Sequence, residues 1–157
     1  MWNVVGTPEK FDWIIFDPVL ILDEFDFPRL FTCKDIAGNL YLAYNCGIDK
    51  SRLRFVVVPT DEGDISDIMH GRINLRDSLS KYRAWIFDLN NSWEPVKAWK
   101  INIDDLPFDA LPRPGTMLRP DFQQVIFRAT TRTCSSTTEL AYAGYDDQYR
   151  KMVILNG

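Results

Sequence analysis

Asp23, Glu24 and Asp26 are the first residues along the chain whose type and spacing could do chemistry. Clustered carboxylate oxygens suit a hard cation such as Mg²⁺, which takes carboxylates and water as ligands. In an extended strand Glu24 and Asp26 would share one face, while Asp23 would point to the other. With Arg29 and Tyr44 they make up the candidate binding residues, a pocket of acids and nearby aromatics. A second acidic group, Asp61, Glu62, Asp64 and Asp67, is better explained by a helix dipole that favours negative charge in its first turn. Neither group has EF-hand spacing, which needs Gly at position 6 and a bidentate Glu at 12. No metal ligand and no cofactor are expected.

Other routes to catalysis find few residues. His70 is the single histidine, whereas most hydrolytic dyads, triads and zinc sites need one or more placed beside a nucleophile or metal. It falls at the end of a predicted helix, where a cation is favourable and needs no further role. Cys134 lies in TCSSTTEL, but a C-x₅-R phosphate loop would need arginine where Leu140 stands. There is no G-x-G-x-x-G, no phosphate loop ending in G-K-S/T and no G-x-S-x-G. No residue is assigned a catalytic role. RNA binding would use exposed aromatics with basic neighbours, and Lys97, Trp99 and Lys100, or Tyr41 and Tyr44, could supply them. Trp99, however, falls on the apolar face of its strand.

The chain has 157 residues and a net charge of −4. That length fits one domain, residues 1–157, able to bury a core without a metal or a disulfide. The acidic balance argues against a general nucleic-acid binder, which needs clustered Lys and Arg to displace counterions. The charge is uneven: Arg113, Arg119, Arg128, Arg132, Arg150 and Lys151 make the last third basic. Three cysteines, Cys33, Cys46 and Cys134, follow no disulfide spacing. With no basic-then-apolar leader and no long apolar run, the expected setting is the cytoplasm, with reduced thiols and no membrane.

The elements that must position these residues are mostly strands. Residues 29–34 and 40–46 flank Asp35-Ile-Ala-Gly38-Asn39, turn residues that read as an antiparallel hairpin. Arg52–Pro59 (RLRFVVVP) is a near-continuous apolar run, the mark of a central strand covered on both faces, and completes a meander. Before it, Trp13–Phe16 ends at Asp17-Pro18, and Val19–Asp23 begins a new strand. After it, Thr60 is placed as the N-cap of a helix ending at Gly71, and Asn74 as the cap of a second helix through Tyr82. Ala84–Leu89 and Val96–Ile103 return to strand, the latter burying Lys97, Trp99, Ile101 and Ile103. The prolines of 104–120 mark a boundary. Beyond it, 119–157 reads as a C-terminal extension of strands packing on the core, with a helix from Ser136 the alternative to a closing hairpin.

The residues Pro28-Arg29-Leu30-Phe31, Cys33-Lys34-Asp35 and Gly38-Asn39-Leu40-Tyr41 give residues 18–118 a likeness to a known group, as do the strand ending at Pro59 and Gly71-x-Ile73-x-Leu75-Arg76-Asp77. This stretch resembles a family of small bacterial and phage domains of unknown function. The likeness implies domain limits and no activity, and leaves 119–157 as an addition. The expected fold class is α+β: a mainly antiparallel sheet of five to seven strands, with two short helices inserted at about 60–82. The expected function is a non-catalytic protein interaction module or subunit of a larger bacterial assembly, with self-association through exposed strand edges. The alternative is a small-molecule- or metal-binding enzyme or sensor with an acidic pocket near 23–26. The Pro28–Asn45 hairpin is apolar on both sides, so the helices should cover one face and the C-terminal segment or a partner the other.

Overall fold

The computed structural model describes residues 1–118, apart from residues 11 and 82. It is an α+β fold built on one sheet of six strands in sequence order, every neighbouring pair antiparallel. The strands are β1 (Ile14–Phe25), β2 (Phe27–Asp35), β3 (Leu40–Ile48), β4 (Leu53–Pro59), β5 (Ala84–Leu89) and β6 (Pro95–Ile101). Two short helices, α1 (Glu62–Met69) and α2 (Leu75–Leu79), interrupt the meander between β4 and β5. The β1–β2, β3–β4 and β5–β6 turns therefore share one end of the sheet, and the helical connection leaves from the other.

Side chains alternate across a strand, and here both faces are apolar. On one face Leu30, Leu42, Val56, Val58 and Ile86 meet Ile65 and Ile68 of α1 and Leu75 and Leu79 of α2. On the other, Phe31, Cys33, Ala43, Phe55, Val57 and Phe87 form a second core. The helices thus cover the face expected of them. The second cover is supplied by the start of the chain's own first strand. Trp13 lies edge-on to Trp85 at 5.1 Å and Phe16 edge-on to Phe87 at 4.9 Å, a favoured geometry for aromatic pairs. Trp93, from the β5–β6 turn, closes the same face against Phe55 at 5.6 Å and Phe31 at 5.8 Å.

Asp17-Pro18 does not break the first strand. The pairing of β1 with β2 jumps from Ile15↔Lys34 to Leu20↔Thr32, leaving a wide bulge between them. The bulge turns Phe16 over the centre of the sheet, and edge strands accept proline because one side of their backbone donates to no ladder.

Several boundaries also move. Asp61, not Thr60, caps α1, its side chain accepting from the Asp64 N–H at 2.7 Å. The Thr60 hydroxyl is buried without a partner among the described residues. Asn74 caps α2 as expected, but the helix ends at Leu79. β6 buries Ala98 as well as Trp99 while Lys97 is exposed, so this strand too is covered on both faces. The proline-rich stretch is no boundary as far as Leu118. Its two 3-10 turns, Ile103–Asp105 and Phe108–Ala110, lead into buried Leu111 and Leu118. Arg76 of α2 donates to the carbonyls of Phe108 and Pro112 and stacks over the Phe108 ring at 4.3 Å. The strands or helix expected within 119–157 lie outside the described residues.

Two consequences of this packing are measurable. Phe31 has no solvent exposure, so Phe31→Asp should abolish cooperative unfolding, and Phe31→Ala should cost about 3–5 kcal/mol. A folded Phe31→Asp protein would mean that this face is open. The Asp35 carboxyl, at the β2–β3 turn, accepts from the Ala37 and Asn39 backbone N–H groups at 2.9 Å. It also accepts from the Asn39 side chain at 3.0 Å and the Tyr41 hydroxyl at 3.1 Å. The bond from the Asn39 side chain is the largest of the effects that hold its pKa below the ordinary aspartate value. The folded value lies below the unfolded one, so its stabilisation is complete above about pH 3.9 and lost as pH falls through the folded value. The stability gap between wild type and Asp35→Asn, measured in urea, should therefore narrow on acidification; a constant gap would exclude the linkage.

Candidate functional site

The five sequence-predicted binding residues gather at one place, the β1–β2 turn and the strand beside it. Asp23 pairs with Leu30, and Leu30 with Tyr44, so Asp23 and Tyr44 lie in one row across three strands. Glu24 pairs with Pro28, and Phe25 with Phe27. Asp26 is the turn residue itself, with φ of +67°. It is therefore not in a strand and does not share a face with Glu24. Aspartate tolerates this left-handed geometry better than most side chains because its short polar group bonds locally. Among the described residues, no three His, Cys, Asp or Glu side chains come together as a metal site would require.

The tip has two chemically distinct sides. Phe25, 67% exposed, and Phe27 both lie under the Arg29 guanidinium, at 5.9 Å and 5.5 Å from its carbon. Phe27 continues into the second core through Trp93 at 6.3 Å. Trp93 has φ of +63°, a strained conformation for a bulky residue. The Asn90 side chain holds its turn by accepting from the Ser92 and Glu94 N–H groups. On the other side Tyr44 is half-buried, and burial foremost raises its phenol pKa. The thiol of Cys46 and the carboxylate of Asp23 raise it further, against the opposing charge of Arg29.

The other chemical candidates separate. His70 caps the end of α1, exposed, with its ring Nδ1 2.8 Å from the Ser66 carbonyl oxygen, as expected of a surface residue. Burial pushes the Cys33 and Cys46 thiols up to about 12, so neither is a thiolate at neutral pH. Of the residues considered for RNA, Tyr41 and Trp99 are buried. Cys134 lies outside the described residues.

Sequence reasoning missed a buried ion pair at the same end of the sheet. Arg54 of β4 and Asp88 of β5 are register partners. Arg54 Nε donates to Asp88 Oδ1 at 2.6 Å and Nη2 to Oδ2 at 2.7 Å, a bidentate pair with side-chain exposures of 4% and 0%. The Arg54 guanidinium also donates to the Trp2 carbonyl and stacks between Trp2 and Trp99, 4.8 Å and 5.5 Å from their ring centres. Arg52 reaches Asp88 from the rim at 3.3 Å. The available signal was a charge inside each of two apolar runs, RLRFVVVP and AWIFDL. Removing one partner of such a pair strands a buried charge, so Asp88→Ala should cost about 3–5 kcal/mol in denaturant unfolding. The double change Arg54→Met with Asp88→Leu should recover most of it. A loss no larger than that of the exposed control Asp104→Ala would overturn this account.

No curated protein and no solved structure matches the chain. A family model described as a family of unknown function, DUF6575, matches residues 17–140. Its span begins in the β1 bulge and passes Leu118, so residues 119–140 are family sequence and not an addition peculiar to this protein. The fold described above is thus that of most of a family domain: the chain belongs to DUF6575, a family of unknown function.

Proposed function

We propose that this protein is a non-catalytic protein interaction module. In this reading it serves as a subunit of a larger bacterial or phage assembly in the cytoplasm. It meets its partner, another protein or a second copy of itself, through the β1–β2 tip. The observation that carries this is the ring of Phe25, 67% exposed at a turn and overlaid by Arg29. A large ring held in water loses roughly 1.5–3 kcal/mol relative to burial, which a partner's surface can recover. Aromatic and arginine side chains are also the types enriched at the energetic centres of interfaces.

The surroundings favour the same use. Phe27 and Trp93 anchor the tip to the second core, so little conformational freedom remains to be lost on binding. Asp23, Glu24 and Asp26 supply an acidic rim, which would steer a basic partner surface and disfavour nucleic acid.

Placing a photo-crosslinking phenylalanine analogue at position 25 tests the reading in cells, with the exposed Lys34 position as control. Discrete adducts are expected from position 25 and not from position 34, and Arg29→Ala should weaken them. Sedimentation of the purified protein then separates self-association from a foreign partner. If position 25 gives no adduct beyond the control and the protein sediments as a monomer, the tip is not an interface.

A further inference from the structure

We propose that a second site, the cleft beneath the N-terminal arm, binds a small molecule through an oxyanion group, a carboxylate or a phosphate. The cleft has a volume of about 230 Å³ and is lined by Trp2, Asn3, Arg52, Arg54, Lys97 and Trp99, among others. It is independent of the hairpin tip and of the function proposed for it.

A count of hydrogen-bonding groups carries the inference. A guanidinium has five N–H donors. Arg54 places three of them, two on Asp88 and one on the Trp2 carbonyl, which leaves two on a side chain only 4% exposed. Trp99, 6% exposed, has its indole Nε1 buried with no partner among the described residues. Lys97 stands opposite Asp88 in the β5–β6 register and makes no ion pair among the described residues. The charged side chains of the wall, Arg52, Arg54 and Lys97, thus offer donors and lack acceptors, with the Trp99 indole nitrogen buried beside the Arg54 guanidinium. Buried donors left unmet are costly, so a ligand rich in acceptors gains most here. Among the described residues Arg52, Arg54 and Lys97 face only Asp49 and Asp88, which leaves one positive charge over.

Size and aromatic geometry narrow the class. The cleft is smaller than the roughly 300–1,000 Å³ of drug-sized pockets, so it takes a short molecule or a terminal group. Arg54 already lies over the rings of both Trp2 and Trp99. A nucleobase stacked on those faces would have to displace it from Asp88, whereas an oxyanion can approach the remaining N–H groups in plane.

The Trp99 indole N–H is the reporter. In the full chain with ¹⁵N-labelled tryptophan, its resonance is assigned by its loss in Trp99→Phe. Inorganic phosphate and acetate are then titrated separately, against sodium chloride at matched ionic strength. A saturable shift of the Trp99 indole is expected with at least one of them, and the anion that saturates at lower concentration identifies the group. Lys97→Gln, an exposed position, should raise the apparent Kd about tenfold, the loss of one charge-assisted contact of about 1.4 kcal/mol, while leaving the ligand-free melting temperature unchanged. A shift that stays linear and matches sodium chloride for both anions overturns the proposal, as does a Lys97→Gln protein that binds as well as wild type.

Discussion

The middle of the sheet is walled on both sides, and this constraint shapes everything around it. From Arg54 to Val58 every residue of β4 is buried, Phe55 and the three valines completely. A strand of that kind needs two covers, because each face otherwise presents contiguous apolar surface to water. The helices supply one cover at the end where β4 leaves the sheet. The other has to come from elsewhere in the chain, and β1 supplies it by bulging at Phe16–Val19 so that Trp13 and Phe16 lie over Trp85 and Phe87. A straight β1 in unbroken register would carry Phe16 along the sheet's edge and leave the second core uncovered.

The two helices are short, and their apolar contacts are with the part of the sheet nearest the β4–β5 connection. At the turn end of that same face the cover passes to the arm, through Trp2 and Val4. There the sheet presents a charged pair instead of aliphatic side chains. A buried pair is weak evidence for net stability, since desolvation offsets much of the Coulombic attraction. Its geometry still constrains the fold. The bidentate fork fixes Arg54 opposite Asp88, and a one-residue slip between β4 and β5 would turn one of the two charges toward the aromatic core on the other face and strand its partner. The same guanidinium holds the arm through the Trp2 carbonyl, so the register of the sheet and the seat of the arm depend on one side chain.

Local signals were the legible ones. The run Phe55–Val58, the Asp35–Asn39 turn and the apolar run Ala84–Leu89 each contain their own explanation within a few residues, and the α+β meander with two helices followed from them. What was not legible depends on partners far away in sequence. Asp17-Pro18 reads as a stop because proline ends ladders, and only the edge position of β1 makes it a bulge. The prolines of 104–118 exclude long regular structure, as read, but say nothing of burial, which Arg76 imposes from another element. Thr60 and Asp61 are both residue types that cap helices, and the structure uses the second, whose carboxylate accepts from the Asp64 N–H. Arg54 and Asp88 look like blemishes in apolar strands until the register pairs them. The acidic residues 23–26 read as one strand, but Asp26 falls at the apex of the β1–β2 turn, outside the strand that would have set it on one face with Glu24.

Among the described residues no three acidic side chains gather as a metal site would require, and this bears on which kind of surface the turn end can be. Convergent oxygens would favour a cation; dispersed ones around an exposed ring favour an extended contact. The two non-glycine residues with left-handed φ among the described residues, Asp26 and Trp93, sit in turns at this same end. Such conformations cost of order 1–3 kcal/mol each and persist where the surroundings over-determine them. At Trp93 the return is visible, since the turn inserts its ring between Phe27, Phe31 and Phe55. At Asp26 it is not: the turn leaves Phe25 in water. Among the described residues, the β1–β2 tip joins a left-handed turn residue to a ring left two-thirds in water, which is the physical reason for looking there, and not at the helices, for the proposed contact.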